Sequence, residues 1–107
     1  MEQLTPRALA DWLADPKRPS PRLLDVREQW EFDITHIAGS SLVPMNTIAD
    51  GLDEFAKDAE VVVICHHGIR SMHIADFLES QGFKRVFNLA GGVAEWAEQV
   101  DPAMPRY

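Results

Sequence analysis

Apolar and polar positions alternate in blocks along the chain, and the period of each block predicts an element. Thr5 places a side-chain acceptor ahead of Pro6, a residue suited to the first helical turn, and Ala8, Leu9, Trp12 and Leu13 then recur at helical spacing. Pro16, Pro19 and Pro21 end that helix in a loop. Leu23, Leu24 and Val26 predict a short strand with Asp25 and an acidic turn at its end, and Glu28 to Asp33 a short helix. After a turn at Gly39 and Ser40, Leu42 and Val43 predict a second short strand. Ile48, Leu52, Phe55 and Ala56 give Thr47 to Lys57 near-helical spacing, with Gly51 expected to break it in two. Val61 to Ile64 is a continuous apolar run rich in β-branched residues, the pattern of a strand buried on both faces at the centre of a parallel sheet. Ser71 to Gln81 predicts a helix with Met72, Ile74, Ala75 and Leu78 inward and Gly82 just past its end. Val86 and Phe87 form a last strand, and Gly91 and Gly92 turn into a closing helix around Val93, Trp96 and Ala97. Trp12, Trp30 and Trp96 are expected in the core. Strands alternating with helices imply an α/β sheet covered on both faces.

Composition narrows the field of functions. A chain of 107 residues with 46% hydrophobic content suits one domain, residues 1–107. A formal charge of -7 argues against a general role on nucleic acid or acidic membrane surfaces, so an anion site must be built locally. Arg7, Lys17, Arg18 and Arg22 are read as a solvated surface. No apolar run approaches the roughly 20 residues that span a bilayer. Glu2, Arg7 and Asp11 interrupt any leader-like pattern at the start. One cysteine forms no internal disulfide, which agrees with a reducing, cytoplasmic setting.

That cysteine opens the segment that carries chemistry, VVVICHHGIRS, residues 61–71. Cys65 falls at the carboxyl end of the most buried strand, where open α/β sheets place their ligands. Gly68 permits a turn whose amides point inward as an anion-binding nest, the following helix adds its N-terminal partial charge, and Arg70 adds a full one. Cysteines so placed have pKa values lowered from about 8.5 to roughly 3.5–7.5, and two units correspond to about 2.7 kcal/mol in favour of the thiolate. A persulfide anion or an anionic donor suits the same cradle. A lone cysteine after an apolar run is more often a small buried hydrophobe, but a core cysteine does not need His66, His67, Gly68 and Arg70 in a tight turn directly after it.

CHHGIRS resembles the active-site loop of the rhodanese family, in which a cysteine opens a short loop with a central glycine and closes it with arginine and serine or threonine. RLLDVRE at 22–28, HIAGS at 36–40, Pro44 with Asn46, and GFKRVFNLAGGVAEW at 82–96 are similar to the family's other segments, in order and over nearly the whole chain. The resemblance implies an open, mainly parallel sheet of about five strands with helices on both faces. It also implies a sulfurtransferase without cofactor or metal. Cys65 would be the persulfide-forming nucleophile; His66, His67, Gly68, Ile69, Arg70 and Ser71 would form the substrate cradle. Arg27 would reach toward the loop, and Asp25 would be structural beside it. The implied substrates are thiosulfate or a related anionic donor, and cyanide or a thiol acceptor such as a thioredoxin-like or sulfur-relay protein. No oligomer is implied beyond a monomer or a weak dimer.

Other readings compete. Thiolate phosphatases and arsenate reductases place five residues between cysteine and arginine, whereas four stand here, His66 to Ile69, which narrows the loop toward a single sulfur atom. Zinc held by Cys65 with His66, His67 or His73 lacks the usual paired spacings. A non-catalytic or redox-sensing module of the same fold is the third, and the presence of both Cys65 and Arg70 favours an enzyme over it. His36 is expected to hold a turn and His73 to lie on a helix surface. Gly91 and Gly92 lack the spacing of a dinucleotide fingerprint.

Overall fold

A computed structural model describes residues 1–107, the side chains of Asp53 and Glu54 excepted. The elements run β1 (Glu2–Leu4), α1 (Pro6–Ala14), β2 (Arg22–Asp25), α2 (Gln29–Ile34), β3 (Ser41–Leu42), a 3-10 segment (Ile48–Glu54), β4 (Glu60–Ile64), α3 (Ile69–Ser80), β5 (Arg85–Leu89) and α4 (Gly92–Gln99). The five strands pair in parallel in the order β1-β5-β4-β2-β3, so the β-branched run of β4 lies at the centre.

Alternation of side chains along β4 divides the core into two layers. Val62 and Ile64 face α1 and α4, where Leu9, Trp12, Val93, Trp96 and Ala97 pack. Val61, Val63 and Cys65 face α3 and the 3-10 segment, against Ile48, Leu52, Ile74, Ala75 and Leu78. The predicted caps form. Thr5 Oγ1 accepts the Ala8 amide at 3.1 Å, and Gly82, at φ +95°, closes α3 with paired bonds from Gly82 N to Glu79 O and from Phe83 N to Leu78 O.

Several local expectations are corrected. β1 was not foreseen: three residues with mostly exposed side chains carry no periodic signal, and only pairing with β5 makes them a strand. Gly51 does not break its segment, because the tighter 3-10 winding passes through it without a positive φ. The second strand ends at Leu42, and α3 begins at Ile69 with Ser71, not Met72, fully inward. Trp30 is 60% exposed on α2, edge-on to Tyr107, whereas Trp12 and Trp96 are buried as expected. Among the described residues no helix is long and apolar enough to cross a membrane.

Candidate active site

Two adjacent strand ends assemble the site. β2 and β4 pair Asp25 with Ile64, so the chain leaves the sheet with Arg27 and Cys65 on neighbouring paths. Cys65 is 1% exposed. Its Sγ accepts the Gly68 amide at 3.1 Å and lies 3.3 Å from Ser71 Oγ, placing the sulfur at the N-terminus of the twelve-residue α3.

The loop is held from behind by the turn into α4. Cys65 O accepts the Val93 amide at 2.9 Å and His66 O the Ala94 amide at 3.0 Å. Gly68, at φ +90°, backs onto Gly91 N and Leu89 O so closely that a Cβ there would meet them at 2.9 and 3.1 Å. The double glycine is therefore a seat for the cysteine loop.

Arg70, on the first turn of α3, does not point a free guanidinium at the sulfur. It forms a two-pronged pair with Glu31 on α2, Nη1 to Oε1 at 2.8 Å and Nη2 to Oε2 at 2.9 Å. Glu31 also accepts the Glu28 amide and the Tyr107 hydroxyl. The Arg70 hydrogen bonds hold its carboxyl at about 2 against the cost of burial, and the Arg70 guanidinium is raised by the same contact. A lowered carboxyl pKa adds stability that is present above the ordinary carboxylate range and is lost as the pH falls through about 2. Wild type is therefore expected to exceed Glu31→Gln by about 2 kcal/mol near neutrality, allowing for solvent screening at Arg70. That difference should shrink below pH 4.5 and close near pH 2 in urea unfolding; a constant difference would remove the ion pair as its source.

Arg27 is fully buried and turned to Asp25, Nε and Nη2 bridging both carboxylate oxygens at 2.8 to 3.1 Å. Its remaining donors reach Thr35 O and the Tyr107 hydroxyl, both at 2.7 Å. Burial opposes its charge, but the Asp25 and Tyr107 contacts outweigh that and raise it. Tyr107 stacks on the His66 ring at 4.0 Å, and its own hydroxyl is pushed up to about 12, mainly by burial. His66 is lowered by burial and then by the neighbouring His67 charge, so it favours the neutral ring. His67 lies against it at 4.0 Å, Ile69 is exposed, and a cleft of about 130 Å³ opens beside both histidines, Val93, Ala97 and Tyr107. His73 is exposed on α3, and His36 bonds Phe32 O at a helix end. Among the described residues no three histidine, cysteine, aspartate or glutamate side chains gather as a metal site.

Glu31, Asn88 and Tyr107 belong to the site and were not read from the sequence. Each is brought in from a distant element, and none sits in a motif around Cys65.

An open parallel sheet with one nearly sealed cysteine at a helix N-terminus, on the carboxyl edge of its central strand, defines a cysteine-centred α/β domain. A family model of the rhodanese-like domain matches residues 5–99, and the chain belongs to that family. It is 37% identical to the probable adenylyltransferase/sulfurtransferase MoeZ of Mycobacterium tuberculosis over 97% of its length, spanning 26% of that relative. It is 29% identical to thiosulfate sulfurtransferase GlpE of Tolumonas auensis, covering 90% of this chain and 91% of the other. The crystal structure of a rhodanese-like domain protein from Staphylococcus aureus superposes with a TM-score of 0.84 at 30% identity, covering 94% and 95% of the two chains.

Proposed function

We propose that this chain is a sulfurtransferase that carries one sulfur atom as a persulfide on Cys65. The observation that supports this best is the sulfur's own surroundings: Sγ faces the Gly68 amide, the Ser71 hydroxyl and the start of α3, donors and a positive helix end suited to an anionic sulfur. The Cys65 thiolate attacks the outer sulfur of thiosulfate or a related donor; the donor's S–S bond breaks and sulfite leaves with that bond's electron pair. Cyanide or a thiolate acceptor then attacks the outer sulfur, and the bond to Sγ breaks to return the thiolate. Two displacements replace one difficult transfer.

In this reading His66, His67, Gly68, Ile69, Arg70 and Ser71 line the donor's approach, while Arg27 and Asp25 brace the wall beside it. The Glu31–Arg70 pair occupies both prongs of the guanidinium, so Arg70 lends positive charge to the donor's approach and not a two-pronged grip on it. The outer sulfur of the persulfide stands about 2 Å beyond Sγ, so the carrier sulfur can stay sealed while its cargo is reached. Exposed Trp30 and Ile69 suit a protein acceptor, thioredoxin-like or part of a sulfur relay, in a reducing cytoplasm where the cysteine stays free.

Incubation with thiosulfate, followed by intact mass spectrometry, should add one sulfur atom to the peptide containing Cys65, and cyanide should remove it as thiocyanate. No mass gain, or steady turnover of p-nitrophenyl phosphate instead, would overturn the assignment.

A further inference from the structure

Behind Cys65 a line of polar side chains crosses the α3 face of the sheet. Asn88 on β5 is paired in register with Val63 of β4 on one side and Gln3 of β1 on the other. Its Nδ2 donates both hydrogens to acceptors that cannot donate in return, Gly68 O at 3.0 Å and Gln3 Oε1 at 2.9 Å. That fixes the amide's orientation, and Oδ1 faces the Ser71 hydroxyl in a short contact. Ser71 Oγ also lies 3.3 Å from Cys65 Sγ.

Ser71 has one hydroxyl hydrogen for two acceptors. With a neutral thiol the count closes: the S–H donates to Ser71 Oγ, and Ser71 donates to Asn88 Oδ1. Once the sulfur has lost its proton to solvent it can only accept. The Ser71 hydrogen is then drawn to it as a second donor beside the Gly68 amide, and when it turns, Asn88 Oδ1, in a residue 1% exposed, is left without that donor. Leaving a buried acceptor unmatched is costly.

We propose that Asn88 is a positioning residue for the cysteine chemistry: it competes with Cys65 for the single Ser71 hydrogen and so weakens the donor set offered to an anionic sulfur. The proposal rests on the sulfurtransferase reading for its purpose. Its test does not, because it reads the protonation of Cys65 and not sulfur transfer.

The ultraviolet absorbance of the thiolate reports that protonation directly, since the chain has one cysteine and its one tyrosine ionises only at about 12. Ser71→Ala removes the donor and is expected to move the thiolate midpoint up by about one pH unit. Asn88→Ala frees the hydrogen for the sulfur and should move it down by about half a unit to one unit. In the Ser71→Ala background, Asn88→Ala should have no further effect. A loop merely loosened by Asn88→Ala would shift the midpoint alike in both backgrounds, and that result, or an upward or absent shift in the single variant, overturns the proposal. Asn88→Leu keeps much of the volume and removes the acceptor without adding charge, so if Asn88→Ala does not fold it serves instead. It should move the midpoint down, and not when Ser71→Ala is present; equal shifts in the two backgrounds would again overturn the competition. Absence of persulfide loading alongside the predicted midpoints would sink the sulfurtransferase reading and leave this one standing.

Discussion

Arg27→Met is expected to destabilise the domain by about 3–5 kcal/mol, the cost of breaking a buried charge pair from one side. Arg27 and Asp25 are both 0% exposed, and the guanidinium binds both carboxylate oxygens while also satisfying Thr35 O and the Tyr107 hydroxyl. Methionine fills much of the volume but leaves the Asp25 carboxylate in the interior with no cation. A domain of this size has a total stability of about 5–15 kcal/mol, so the variant should populate unfolded chain at modest urea concentrations. Arg27→Met combined with Asp25→Asn should recover part of the loss, because no uncompensated charge then remains. Urea unfolding midpoints at constant slope measure both. A loss below about 1 kcal/mol for the single variant, or no recovery in the double, would mean that the pair is not what braces this wall.

Gly92→Ala should damage the site most per atom added. A Cβ at this position would fall 2.2 Å from Cys65 O and 2.5 Å from His66 O, both backbone atoms that cannot swing aside. The same two carbonyls accept the amides of Val93 and Ala94, so the clash forces apart the loop and the start of α4. The expected loss is about 3 kcal/mol, combining overpacking with the left-handed backbone at φ +59°. Cysteine sulfur displaced by an ångström should load from thiosulfate roughly 100-fold more slowly. Gly39→Ala separates the causes: Gly39 has φ +85° but nothing within 4 Å of its Cβ position, so it carries the backbone cost alone. Equal stability and equal loading rates in the two variants would refute the seat assigned to Gly92.

The readings that succeeded share a physical basis in local order. Helix spacing, the Thr5 cap, the Gly82 closure and the β-branched run of β4 are properties of a few consecutive residues, and each meets the same neighbours in almost any fold that buries its apolar side. The failures lie where local signal is weak. Core packing is the expectation for Trp30 on a segment read as amphipathic, but α2 has only six residues and the one it buries is Glu31. Glu31 falls inside the short helix predicted from Glu28 to Asp33, where nothing local points to its partner Arg70, 39 positions on.

The order of elements after β1, the α/β alternation and the cysteine loop with its glycine were determined by the sequence itself, through periods and turn residues that act over a few positions. Tertiary structure decided what surrounds the sulfur. Glu31 gripping Arg70, Tyr107 bridging Arg27 and Glu31, Asn88 contending for the Ser71 hydrogen and Gly92 seating the loop all join residues far apart in the chain. Such partners are chosen by which strand ends lie side by side and which side chains share a face, and no periodic pattern along the chain encodes that geometry.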